Sequence, residues 1–344
     1  TDASVIAAIQ QAIALKARYN VRVINLSLGR PVYERYQSDP LCQAVEKAWK
    51  AGIVVVVAAG NSGRDNSANT SGYGTIAAPG NDPYVITVGA MKTEATQNRS
   101  DDMIASYSSK GPTLFDHVVK PDLVAPGNRI VSLRAPNGSL GQTYPQTLVA
   151  MNAYKHGPPH PSADYLELSG TSMAAPMVSG AVALLLEKYP QLAPDQVKAR
   201  LMKTAHKTFP AYSNATDPVI GTVYSSQYDI FTVGAGYLDI SAALNNSDEA
   251  TGTAMSPVAS YSNGKVTLSA DGSSVWGSSV VWGSSVVWGS SVFVSGSSSL
   301  WGSSVVWGSS ATQGFGVVWG SSVVWGSGNQ TASESVNVAV NGEN

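Results

Sequence analysis

The sequence predicts an α/β protein built on an open, doubly wound, mostly parallel sheet, followed by a repetitive tail that is β-prone or disordered. Three observations carry this expectation. Residues 52–58, Gly-Ile-Val-Val-Val-Val-Ala, form an unbroken apolar, β-branched run of the kind buried on both faces of a parallel sheet. Stretches with helical spacing alternate with such strand-like runs. Composition then shifts, and between residues 275 and 326 the chain repeats Val-Trp-Gly-Ser-Ser-Val. This divides the chain into a domain over residues 1–248 and a linker with low-complexity tail over residues 249–344.

Each element follows from local pattern. Residues 2–19 place Val5, Ile6, Ile9, Ile13 and Leu15 near one face, a helix. Residues 21–28 read as a buried strand closed by Gly29. Residues 39–51 form a second helix, capped by Asp39 and stopped by Gly52. The strand at 52–58 is followed by another at 84–88, and residues 120–125 lead into a Pro126-Gly127 turn. An apolar, alanine-rich helix follows Ser172 and ends near Tyr189-Pro190. Pro194 opens a short helix reaching Ala205.

Composition excludes several classes. Hydrophobic residues make up 43% of 344 residues and charged ones 13%, enough for a sizeable core. A net charge of −2 argues against a nucleic-acid or anionic-membrane partner. The single cysteine, Cys42, excludes an internal disulfide and reads as a buried bystander on its helix. His117, His156, His160 and His206 show no metal-ligand spacing. No run approaches the ~20 apolar residues of a membrane helix. The chain starts at Thr1, already in helical pattern, and shows no secretory signal, as expected of a sequence entering in mid-domain.

The tail has two readings. Trp276, Trp282 and Trp288 are six apart, as are Trp301 and Trp307, and Trp319 and Trp325. A period of six would put every Trp on one side of a strand, which allows a stacked β-solenoid. The same pattern also fits a low-complexity tail that is disordered or orders by self-association.

The chemistry gathers around Leu168-Ser169-Gly170-Thr171-Ser172-Met173-Ala174-Ala175-Pro176. A serine at a glycine-preceded turn opens a helix, whose N-terminus supplies unpaired N–H groups and a positive dipole end. A nucleophile is well placed where negative charge will build on a neighbouring oxygen. A plain Ser/Thr cap on a core helix is the competing reading of Gly-Thr-Ser alone. Upstream, Ala58-Ala59-Gly60-Asn61-Ser62-Gly63 follows a buried strand, at the carboxyl end of the sheet where open α/β folds place their sites. Asn61 can offer a side-chain N–H there, although Gly-Asn-Ser-Gly alone reads as a turn.

Together these motifs resemble the subtilisin-like serine peptidases, the subtilases. The run from Ser169 to Pro176 resembles their nucleophile motif, and residues 58–63 their oxyanion loop. Asn25-Leu26-Ser27-Leu28-Gly29 resembles their substrate-pairing strand. Pro83-Tyr84-Val85-Ile86-Thr87-Val88-Gly89-Ala90 and the stretches at 106–112 and 120–127 resemble structural parts of the same fold, with Asp122 satisfying backbone donors. The resemblance spans about residues 3 to 245 and keeps the family order.

The resemblance implies a serine endopeptidase acting on protein or peptide substrates, secreted or at the cell surface. Ser172 is the implied nucleophile. Asn61 and the Ser172 N–H are the implied oxyanion donors. Ser27, Leu28 and Gly29 would hold the substrate backbone, and Ala58, Ala59 and Gly60 would line the pocket for the residue before the cut. The family's Asp-Thr/Ser-Gly and His-Gly-Thr-His motifs are absent here and are expected upstream of Thr1, so the chain alone is expected to be inactive. A base from the Pro-rich stretch carrying His156 and His160 is disfavoured, since a general base needs a rigid frame. No organic cofactor is implied. Structural calcium is a family property, but Asp101-Asp102 reads better as a solvated turn. The alternatives are a non-catalytic homologue and a self-assembling structural role for the tail.

Overall fold

A computed structural model describes residues 1–262, 265–269, 293–295 and 336–343. The expectations for the repeat, whether solenoid, disorder or self-association, fall almost wholly outside those residues.

The chain opens with α1 (Asp2–Tyr19), β1 (Val23–Leu26), α2 (Pro40–Lys50), β2 (Val54–Ala58) and β3 (Ile86–Lys92). The short β4 (Met103–Ile104) and β5 (Leu123–Pro126) complete the main sheet. β1, β2, β3 and β5 run parallel, and β4 pairs antiparallel with the end of β3. Every residue of β2 and β3 is buried, so both faces of the sheet are covered, as their continuous apolar runs require. The central helix α3 (Thr171–Lys188) packs on this sheet, and α4 (Pro194–Thr204) follows it. The fold is thus α/β with a mostly parallel sheet.

Local chemistry sets the boundaries. Asp39 caps α2 by accepting from the Leu41 N–H at 2.9 Å, with Pro40 in the first turn. β2 begins at Val54, later than expected, because Gly52 turns the chain at φ 81. β1 ends at Leu26, two residues earlier than expected. Its register with β2 stops at Leu26 opposite Val57, and Ala58 and Ala59 turn to Val88 of β3 instead. Ser27, Leu28 and Gly29 therefore continue past the sheet without a strand partner among the described residues. β3 starts later than expected because the Tyr84 N–H is held by Asp82 at 2.9 Å, and it runs on to Lys92 to pair with β4 and β5.

A three-stranded antiparallel sheet precedes α3: β6 (Ile130–Leu133), β7 (Leu148–Ala150) and β8 (Pro161–Leu168), with β8 central. A hairpin, β9 (Tyr212–Thr216) and β10 (Val223–Gln227), follows α4. Further on, β11 (Val258–Ser262) pairs antiparallel with β12 (Lys265–Ser269). The core crosses residue 248: Ala254, Ala259, Leu268 and Val338 belong to the same apolar cluster as β2 and α3.

Beneath the sheet edge lies a closed polar cluster. Asp122 accepts from the Thr87 N–H at 2.7 Å, from Lys120 Nζ at 2.7 Å and from Ser256 Oγ at 2.5 Å, and it pairs with Lys198 Nζ at 3.1 Å. Lys198 Nζ also reaches the carbonyls of Pro83, Tyr84 and Val85 at 2.8, 3.2 and 3.0 Å and Ser256 Oγ at 2.9 Å. Both lysines and Asp122 are fully buried. Burial pushes Lys198 down to about 7, against the pull of Asp122. The two lysines hold Asp122 below its ordinary value despite burial. Asp122 thus meets a backbone donor as expected, and also two ammonium groups that local sequence did not reveal.

Candidate active site

The N-terminus of α3 organises the site. Gly170 precedes the helix at φ 143, a conformation open to glycine, and a Cβ there would stand 3.1 Å from Asn61 Nδ2. A helix start leaves four N–H groups without intrahelical partners. Here the Gly170 N–H goes to the Gly127 carbonyl at 2.8 Å, the Thr171 N–H to Asn61 Oδ1 at 2.9 Å, and the Met173 N–H turns back to the Gly170 carbonyl at 2.9 Å. Among the described residues that leaves the Ser172 N–H unclaimed.

Asn61 is fixed from the same side. Its Oδ1 accepts from both the N–H and the Oγ1 of Thr171, at 2.9 and 3.0 Å. A backbone N–H can only donate, so the amide oxygen must face Thr171 and the Nδ2 donors face elsewhere. Thr171 Oγ1 in turn accepts from the Gly60 N–H at 3.1 Å, tying the loop at 58–63 to the serine turn. Gly60 sits at φ 109, and a Cβ there would meet Ser109 Oγ at 2.7 Å. Ala58 and Ala59 are buried behind it.

Ser172 is half-buried, and its Oγ donates to the Ser27 carbonyl at 3.3 Å. The return contact has a cause in the sequence. Pro176 has no N–H, so the Ser172 carbonyl loses its intrahelical donor. Ser27 Oγ supplies one at 2.7 Å. Asn25 steadies Ser27 through Nδ2 at 2.9 Å and accepts from Ser179 on α3 at 2.9 Å. The role of Asn25 was missed in the sequence, although its spacing of two from Ser27 within one strand end was legible. Leu28 is 37% exposed and Gly29 is exposed, so this backbone lies open beside the serine.

The structure therefore brings Ser172, Asn61, Ser27 and Gly60 together. His156 and His160 are exposed on the loop before β8, and His206 is engaged through its backbone with Tyr237. Cys42 is buried and donates to Asn81 Oδ1 at 3.3 Å; burial raises its thiol far above the ordinary range. Asp101 accepts from Thr96 Oγ1 at 2.9 Å, while Asp102 is buried beside Tyr237 and is raised by desolvation. Asp102 is therefore not part of a solvated turn, and no group of three His, Cys, Asp or Glu gathers among the described residues. No described helix is long and apolar enough to cross a membrane.

Comparison with known proteins bears on this geometry. The family model for the subtilase family, peptidase S8, matches residues 1–236. The chain is 42% identical over 189 residues to serine protease AprX of Bacillus subtilis, covering 54% of this chain and 38% of that protein. It is 40% identical over 198 residues to subtilisin DY of Bacillus licheniformis, covering 58% of this chain and 54% of that protein. The chain thus spans about half or less of these relatives. Among solved structures, fervidolysin from Fervidobacterium pennivorans, a keratinolytic enzyme related to subtilisin, aligns with a TM-score of 0.50 at 27% identity. That alignment covers 73% of this chain and 30% of fervidolysin.

Proposed function

The chain belongs to the subtilase family, and from that premise we propose that it is the nucleophile-bearing part of a serine-type endopeptidase. Ser172 attacks the peptide carbonyl and forms the acyl-enzyme. A histidine and an aspartate from outside residues 1–344 take its proton and orient that base. The observation that carries the reading is the hydrogen-bond account at α3. Among the described residues the Ser172 N–H and Asn61 Nδ2 meet no acceptor, where the tetrahedral oxyanion needs donors. An extended peptide pairs with the open backbone at Ser27, Leu28 and Gly29, and Ala58, Ala59 and Gly60 form a wall of its side-chain pocket. Residues 1–248 form the peptidase body. The setting is secreted or at the cell surface, and protein or peptide is the substrate. Residues 1–344 alone turn over peptides poorly, since no imidazole reaches Ser172 Oγ among the described residues.

The test is chemical labelling of the full-length protein with a fluorophosphonate. A single labelled site at Ser172, lost together with proteolysis in Ser172→Ala, supports the reading. Labelling spread over several serines, or proteolysis surviving Ser172→Ala, overturns it. A folded protein with no labelling at all identifies a non-catalytic homologue.

A further inference from the structure

A second polar site is built between the two loops that flank Ser172. Arg64 stands three residues after Asn61, and Ser169 three residues before Ser172. Residues 336–343, helical over 336–341, are seated against both. The Ser169 N–H donates to the Ala339 carbonyl at 3.0 Å. A Cβ on Gly342 would stand 2.6 Å from Ser169 Oγ, so this segment lies directly on the nucleophile turn.

Glu343 is held in two ways. Its carboxylate accepts from Arg64 Nη2 at 2.8 Å, from Ser106 Oγ at 2.6 Å and from the Ser106 N–H at 2.7 Å. Its backbone is read separately by one side chain: Asn128 Oδ1 accepts its N–H at 3.0 Å, and Asn128 Nδ2 donates to its carbonyl at 2.9 Å. Arg64, Ser106, Asn128 and Glu343 are all at least nine-tenths buried. One amide reading a peptide backbone and a cation with two donors reading its carboxylate is the division of labour of a peptide subsite. A free phosphate or small acid would leave both Asn128 contacts unused.

Arg64 is also fixed by Asp217 at 2.5 Å and by Ser106 Oγ at 2.8 Å, and its guanidinium lies 4.5 Å from the Tyr224 ring centroid. With Asp217 already on Arg64, seating Glu343 brings this trio to a net charge of −1, and Arg64 keeps a carboxylate partner when Glu343 leaves.

We propose that Arg64, Ser106 and Asn128 form a subsite for an acidic peptide residue beside the nucleophile turn, filled in cis by Glu343. Residues 336–343 then compete with acidic peptides for a place beside the nucleophile turn. The binding claim stands on this geometry; its consequence for catalysis rests on the peptidase reading.

Calorimetry on the full-length protein in a Ser172→Ala background tests binding without turnover. The probe is the nine-residue peptide of residues 336–344. Glu343→Lys places a cation against Arg64 and expels the segment. That variant is expected to bind the peptide at least ~10-fold tighter than its parent, and to lose ~10-fold when the peptide's Glu is replaced by Gln. Arg64→Met in the same variant removes the preference. With Ser172 restored, Glu343→Lys lowers KM for Glu-containing peptides relative to Gln-containing ones and leaves kcat in place. Peptide binding without any hydrolysis would sink the peptidase reading and leave the subsite standing. A folded Glu343→Lys protein, by circular dichroism, that binds Glu and Gln peptides alike would reduce Glu343 to a structural anchor. Should that variant not fold, Glu343→Gln takes its place, and failure to bind the Glu peptide there overturns the proposal.

Discussion

The polar cluster at Ser172 and the one at Asp122 treat their hydrogen bonds in opposite ways. Around Asp122, two ammonium groups, a hydroxyl and a backbone N–H converge on one carboxylate, and the whole set is sealed from water. Around Ser172, the helix start spends three of its four free N–H groups, Asn61 commits its oxygen, and among the described residues the Ser172 N–H and the Asn61 amide donors stay uncommitted. The closed cluster holds the sheet edge to α4 and the chain beyond it. The open one keeps two donors that no described residue accepts from. Deletions in the two places should therefore fall on different observables.

The largest expected effect is on turnover. Ser172→Ala in the full-length protein should lower kcat by at least about 10³-fold, with thermal stability nearly unchanged, because the hydroxyl gives only one bond, to a carbonyl at 3.3 Å. Asn61→Leu should lower kcat by about 10²–10³-fold with little change in KM, the loss recorded for an oxyanion donor in subtilisin. It should also cost about 1–3 kcal/mol of stability, since the Thr171 N–H and hydroxyl lose their acceptor. An Asn61→Leu enzyme with unchanged kcat would move Asn61 from chemistry to architecture.

The closed cluster should show the reverse. Asp122→Ala leaves two buried ammonium groups unpaired and should cost about 3–5 kcal/mol in denaturant unfolding. The protein that remains folded should keep its kcat. Lys198 adds a pH signature. Its folded value near 7 lies below that of an unfolded lysine, so the unfolded chain takes the proton first on acidification. Stability should rise with pH between about 7 and about 10, and Lys198→Met should flatten that slope.

The smallest effect concerns a group that belongs to neither pattern. Asp82 is buried, and its Oδ2 has no hydrogen-bond partner among the described residues, while Oδ1 accepts from the Tyr84 N–H. Desolvation, reinforced by Glu46, raises it to about 7. The folded state then holds a proton that the unfolded state releases near 4, so this group's contribution is present at low pH and is lost as pH rises to about 7. Asp82→Asn should stabilise the protein by on the order of 1–3 kcal/mol at pH 8 and by little at pH 4, measured by thermal melts.

What was legible in the sequence was local. The caps of α2, the apolar run of β2 and the glycine before α3 are each written within a few residues. The site motifs could be placed because each sits at the end of such an element. The ends of β1 and β3 were misjudged because a strand stops where its neighbour turns away, and that is a property of the pair. Nothing in the local pattern of Lys198 marks it for burial, and only tertiary packing puts it under three carbonyls. The pairing of Arg64 with Glu343 joins residues 279 apart, beyond any periodicity. The hydroxyl of Ser27 acquires its meaning only through the proline at 176 on another element.

The mooring of residues 336–343 has a consequence for inheritance. Val338 packs in the same core as Leu268 of β12 and Ala174 and Val178 of α3, and the Ser169 N–H donates to the Ala339 carbonyl. Contacts beside the serine are therefore written in part by residues on the far side of the repeat in the sequence. A deletion or frameshift that removes residues 336–343 takes contacts from the nucleophile turn as well as from the tail.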